Sequence, residues 1–117
     1  MLISLPELIQ RTTGHVATVD ALTARREIKL HGGTLIDVRE PQEVATKAAL
    51  GTHAIPRGIL EMKISELCSD ENSMIYLHCA SGGRARLAAS QLMAMGYKNV
   101  YAISCNVDDI CMAFTDA

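Results

Sequence analysis

Met74-Ile75-Tyr76-Leu77-His78-Cys79-Ala80-Ser81-Gly82-Gly83-Arg84-Ala85-Arg86 joins an unbroken apolar run to a glycine pair and then to a basic, alanine-rich segment. An apolar run with no polar alternation suits a strand covered on both faces, as in a parallel sheet. Two more such runs flank it at wide intervals, Thr34-Leu35-Ile36-Asp37-Val38 and Val100-Tyr101-Ala102-Ile103. Helical patterns fill the intervals at residues 41–49, 60–67 and 85–95. In the last of these, Ala85, Ala88, Ala89, Leu92 and Met95 recur at three- and four-residue spacing. Gly96 then suits the left-handed residue that ends a helix, with Tyr97 folding back as its hydrophobic contact. Strand alternating with helix in this order predicts an α/β domain.

Upstream, Thr18 or Asp20 suits the N-cap of a short helix that His31-Gly32-Gly33 stops, with Leu22, Ile28 and the stem of Arg25 facing inward. Residues 1–16 are the least determined stretch and read as an N-terminal extension to a domain over residues 17–117. With 117 residues the chain has the length of one domain.

Composition narrows the class. Apolar residues make up 49% and charged ones 21%, enough for a core, but aromatics only 3%, so that core rests on aliphatic side chains and Met. The net charge of −2 gives no basic field for nucleic acid or an anionic membrane, and any bound anion has to be held locally. No stretch approaches the ~20 apolar residues that span a bilayer. Cys68, Cys79, Cys105 and Cys111 form no C-x-x-C pair and no zinc-ligand spacing with the four histidines. Together these point to a soluble domain in a reducing compartment, the cytoplasm, with free thiols.

Cys79 stands where the strand ends and the helix begins, the edge of an open parallel sheet at which ligands bind. Small residues after it let the backbone curl so that several N–H groups converge, and a helix N-terminus behind them completes an anion-binding nest. That setting favours a nucleophilic thiolate. Arg84 adds a guanidinium fork suited to a sulfonate-like anion. On residue chemistry alone, a buried strand-end cysteine before an ordinary glycine turn fits the same pattern.

Cys79-Ala80-Ser81-Gly82-Gly83-Arg84 resembles the six-residue active loop of single-domain rhodaneses. Leu35-Ile36-Asp37-Val38-Arg39-Glu40-Pro41-Gln42-Glu43 is similar to that family's "DVRE…E" signature. Gly51-Thr52-His53-Ala54-Ile55-Pro56-Arg57-Gly58 resembles its "IPRG" segment, and Gly96-Tyr97-Lys98-Asn99-Val100-Tyr101 its "GY.NV" step into the last strand. The likeness covers roughly residues 17 to 104.

The resemblance implies a three-layer α/β domain, with a mainly parallel sheet of about five strands and helices on both faces. It implies a sulfurtransferase in which Cys79 carries a persulfide and the backbone of Ala80, Ser81, Gly82, Gly83 and Arg84 surrounds the outer sulfur. Arg84 would help bind the donor, and Asp37 with Arg39 would brace the floor. Outside the resemblance, Arg86 reads either as a residue flanking the mouth that attracts anionic donors or as a solvated residue on the first helical turn. The implied donor is a small sulfur anion such as thiosulfate, or a persulfide. The implied acceptor is a thiol, a protein or a cyanide-like nucleophile, and no metal or organic cofactor is needed. Competing expectations are a non-enzymatic rhodanese-like module that binds and regulates a partner, and a phosphatase or arsenate reductase of the same architecture. Against the phosphatase, only four residues separate Cys79 from Arg84, and the related phosphatases have five.

The sequence departs from the family pattern at two places. Lys47-Ala48 stands where a Gly-His pair is usual. Ser104-Cys105-Asn106 replaces a Gly-Gly turn, and there is no Trp. A short, repacked or loosely docked C-terminal helix is therefore expected. Cys105 and Cys111 read as small core residues, with a resolving thiol as the alternative. His78 reads as a packed histidine, because neighbours on a strand point to opposite faces.

Overall fold

The computed structural model describes residues 1–115; the last two residues of the expected domain lie outside these. Five parallel strands form one sheet: β1 (Ala17–Val19), β2 (Thr34–Asp37), β3 (His53–Ala54), β4 (Met74–His78) and β5 (Asn99–Ile103), in the order β1-β5-β4-β2-β3. The helices are α1 (Leu5–Gln10), α2 (Ala21–His31), α3 (Pro41–Thr46), α4 (Leu60–Leu67), α5 (Gly83–Ala94) and α6 (Val107–Ala113).

Alternation along the strands splits the core in two. Ile36, Val38, Ile75, Leu77, Cys79, Val100 and Ala102 pack with Leu60 and Ile64 of α4 and with Ala85, Ala88, Ala89 and Leu92 of α5. Their neighbours Leu35, Tyr76 and Ile103 pack with Ala21 and Ala24 of α2 and with Ile110 and Ala113 of α6. Helices thus cover both faces, and the three apolar runs are continuous because each strand is buried on both sides.

Local chemistry fixes the helix ends. Asp20, not Thr18, caps α2 by accepting a bond from the Thr23 N–H at 2.7 Å, while Thr18 belongs to β1. Helix α5 ends with Gly96 at φ 110°. The Gly96 N–H donates to the Met93 carbonyl and the Tyr97 N–H to that of Leu92, the paired bonds of a Schellman motif.

Three side chains differ from expectation. Leu22 is 67% exposed, because Ala21, Ala24 and Ile28 supply the inward stripe of α2. Met62 and Met95 also face solvent, whereas Met93 packs on the core. The third helix stops at Thr46 rather than Ala49, since Lys47 is extended and its carbonyl accepts a bond from Arg39. Strands β1 and β3 pair along three and two residues and carry no continuous apolar run, so they left no periodic signal. Residues 5–14 form α1 and a following 3-10 turn, with Ile9 lying against Gly83 at the start of α5.

Candidate functional site

Strand β2 leads on to β3 at one edge and β4 leads on to β5 on the other side, so the crevice beyond their carboxyl ends is the switch point of the sheet. Cys79 follows β4 there, Asp37 ends β2, and Arg39 follows it. Two backbone bonds fix this rim: the Val38 N–H donates to the His78 carbonyl, and the Arg57 N–H to that of Val38.

The Cys79 thiol is 1% exposed and accepts from two amides, Gly82 N–H at 3.1 Å and Ala85 N–H at 3.4 Å. Gly82 is the N-cap of α5 and Ala85 lies in its first turn, where unpaired N–H groups and the helix dipole favour negative charge. Gly82 makes the turn possible, with φ at 99°, a region that side-chain-bearing residues rarely enter. The loop is anchored from outside by the Val107 N–H, which donates to the Ala80 carbonyl at 3.0 Å. Ser81 is exposed, and Gly83 sits beneath Ile9. Within the sequence-expected ring of Ala80, Ser81, Gly82, Gly83 and Arg84, only the Gly82 amide reaches the sulfur; the second donor, Ala85, lies one residue beyond it.

Arg39, Arg57 and Arg84 are each committed to acidic or carbonyl partners. Arg39 grips Asp37 through Nε and Nη2, at 3.1 and 2.8 Å, with both side chains buried. The remaining donors of Arg39 reach the carbonyls of Glu43 and Lys47, so the buried pair also holds α3 in place. Helix α3 in turn presents Glu43, whose two carboxylate oxygens take Nη1 and Nη2 of Arg84 at 2.7 and 2.9 Å. Glu43 also accepts from the Glu40 N–H. These bonds, Arg84 first, draw its carboxyl down to about 2. The same pair raises the Arg84 guanidinium, to which the charge of Cys79 adds a smaller contribution. Arg57 is likewise paired, with Glu61 at 2.8 Å. Arg86 is half-buried on the first turn of α5, and its Nε makes no hydrogen bond.

Sequence reasoning gave Glu43 no role beyond its place in the "DVRE…E" stretch. The available signal was sign complementarity, a lone carboxylate facing a lone guanidinium, but it becomes visible only once α3 is seen beside the loop. Glu61 lies in the first turn of α4 and accepts a bond from Arg57.

His78 is fully buried, with Nε2 2.8 Å from the Thr52 hydroxyl and Nδ1 without a partner. Burial depresses its pKa to about 4, with Asp37 opposing and Arg39 assisting, so it is neutral near pH 7. Cys105 and Cys111 pack partly buried in the cluster on the α2 and α6 side, while Cys79 belongs to the other. Although residues 104–107 touch the active loop through the backbone, the Cys105 sulfur is turned to the Ala21 N–H at 3.3 Å. Among the described residues no group of three or more His, Cys, Asp or Glu is arranged to hold a metal ion, and no helix is long and apolar enough to cross a membrane.

A family model, the rhodanese-like domain, matches residues 18–112. The putative sulfur carrier protein YrkF of Bacillus subtilis is 38% identical over 66 residues, which are 56% of this chain and 35% of that protein. A sulfurtransferase of Allochromatium vinosum is 33% identical over 66 residues, 56% of this chain and 60% of that protein. The chain thus spans less than two thirds of the length of either relative. The reduced CoADR-RHD of Bacillus anthracis superposes with a TM-score of 0.73 at 32% identity, covering 86% of this chain and 17% of that one.

Proposed function

This chain belongs to the rhodanese-like domain family, and from that premise we propose that it is a sulfurtransferase carrying sulfane sulfur as a persulfide on Cys79. The observation that supports this most is the buried Cys79 sulfur accepting the Gly82 and Ala85 amides at the N-terminus of α5. The two amides and the helix N-terminus favour negative charge at that position, and a terminal sulfur added to Cys79 keeps its charge beside the same dipole. The names of the relatives, a putative sulfur carrier and a sulfurtransferase, fit the same chemistry.

In the first half-reaction the Cys79 thiolate attacks the outer sulfur of a donor, thiosulfate or a persulfide. A new S–S bond forms, the donor's own S–S bond breaks, and sulfite or a thiolate leaves with the electron pair. In the second, an acceptor thiolate or cyanide attacks the outer sulfur and Cys79 departs as the thiolate. Asp37 and Arg39 act as a brace beneath the loop, through α3. His78 takes no proton from Cys79, because it is held neutral on the opposite face of β4.

Reduced protein incubated with thiosulfate or glutathione persulfide is expected to gain the mass of one sulfur atom, to release it as thiocyanate on adding cyanide, and to lose both in Cys79→Ser. No adduct from either donor on the folded protein would overturn the proposal in favour of a binding module. Hydrolysis of an aryl phosphate in its place would turn it to phosphatase chemistry.

A further inference from the structure

Three of the four arginines near this site are matched by anions. Arg39 closes on Asp37, Arg57 on Glu61, and Arg84 on Glu43 with both forks engaged. Arg84 is the cation that follows the active loop directly, and its two outer nitrogens are already filled by one carboxylate. A donor arriving at Cys79 meets a neutral pair there. We propose that Glu43 is a positioning residue that sets donor charge, selecting sulfane donors of single negative charge, such as the persulfide of a thiol or of a protein cysteine, over the thiosulfate dianion.

The geometry supports this in three ways. Glu43 is not a wandering surface group, since its Oε2 also accepts the Glu40 N–H at 2.9 Å. Its helix is pinned by the buried Arg39, which bonds the carbonyls of Glu43 and Lys47. The Arg84 guanidinium also draws its carboxyl down to about 2, so it is charged at neutral pH. For a dianion to use Arg84 it would have to displace a bidentate carboxylate held from behind. A monoanion needs no such rearrangement, because the amides of Gly82 and Ala85 suffice for the single charge that stays on the transferred sulfur.

The inference rests on sulfur transfer at Cys79, and the test separates the two. Thiosulfate and methanethiosulfonate differ by one charge, yet both hand over their outer sulfur in the same way, releasing sulfite or methanesulfinate with the electron pair. Single-turnover loading of Cys79 is measured with each, in the unaltered protein, Glu43→Gln and Arg84→Gln. Glu43→Gln leaves Arg84 unpaired and should raise the thiosulfate-to-methanethiosulfonate ratio by about fivefold, the size expected for one half-exposed charge. That gain should shrink as salt is added, since salt screens exposed charge. Arg84→Gln leaves the carboxylate bare and should lower the ratio by a similar factor. A ratio that moves in the same direction in both variants, or in neither, overturns the role of Glu43 while loading itself stands. If Glu43→Gln fails to fold, the Arg84→Gln ratio decides alone, and a ratio at or above that of the unaltered protein refutes the role. No loading of the unaltered protein by either donor refutes the sulfur-transfer function beneath it.

Discussion

Two arginine–carboxylate pairs meet at α3, and they differ in what surrounds them. Asp37 and Arg39 are 0% and 4% exposed, three residues of chain hold the whole pair, and the spare donors of Arg39 end on carbonyls. Glu43 and Arg84 are 33% and 37% exposed, come from segments 41 residues apart, and face the loop that carries Cys79. The chemistry is the same and the consequences are not. In the interior, two charges removed from water are tolerable only together, so losing one strands the other. At the rim, water replaces a lost partner, so the pair is worth little to stability and is free to serve the site.

Asp37→Asn is the harshest way to test this contrast. It leaves the Arg39 guanidinium buried beside a neutral amide, with α3 hanging from it. The expected loss is about 3–5 kcal/mol of unfolding free energy. Urea unfolding of the two proteins side by side measures it. A loss under a third of that would mean that water enters the pocket and the two pairs are alike.

His78 sharpens the buried half of the comparison, since it stands opposite Asp37 in the β2–β4 register. Its pKa is depressed from 6.5 to about 4, chiefly by burial. The unfolded chain therefore binds a proton that the folded one refuses, and stability rises with pH wherever the two differ. This contribution is complete above pH 6.5 and drains away as pH falls through about 4. A shift of this size corresponds to roughly 3 kcal/mol at the acid end. His78→Gln, which can still bond the Thr52 hydroxyl, should flatten the fall in thermal midpoint over that range. An unchanged slope would mean that another group carries it.

The parts of the molecule that were legible in the sequence are those in which each residue's neighbours are local. The apolar runs at 34–38, 74–78 and 100–103 announced buried strands because burial on both faces leaves no polar alternation to hide them. The Schellman turn at Gly96 and Tyr97 was equally open, as every bond in it spans a few residues. The loop from Cys79 to Arg84 was legible for the same reason: strand end, glycines and helix start are contiguous. The pairing of Arg84 was hidden, because Glu43 belongs to a separate helix whose position depends on Arg39. Leu22 misled because one apolar residue in a short amphipathic helix does not fix its phase; the small Ala21 and Ala24 do, by permitting close approach to the sheet. The two-residue β3 was invisible because it has too few side chains to show a period.

The mildest perturbation bears on the exposed pair, and its sign is set by Glu43. A carboxyl held at about 2 against an ordinary 4.5 is ionised in the folded protein where the unfolded chain has begun to protonate. Its contribution is therefore present above pH 4.5 and lost as pH falls through about 2. Because the pair is a third exposed, solvent screening keeps its worth at neutral pH below about 1 kcal/mol. Arg84→Gln should accordingly lower the thermal midpoint by no more than a few degrees at pH 7. The gap from the unaltered protein should then narrow steadily as the pH is lowered from 5 to 2, because acid removes the carboxylate that Arg84 was holding. High salt should narrow it at pH 7 as well, where it leaves the Asp37→Asn loss nearly untouched, since a buried pair is screened much less. An Arg84→Gln loss as large as that of Asp37→Asn, insensitive to salt, would place both pairs in the interior class and remove the basis for assigning Glu43 to the site.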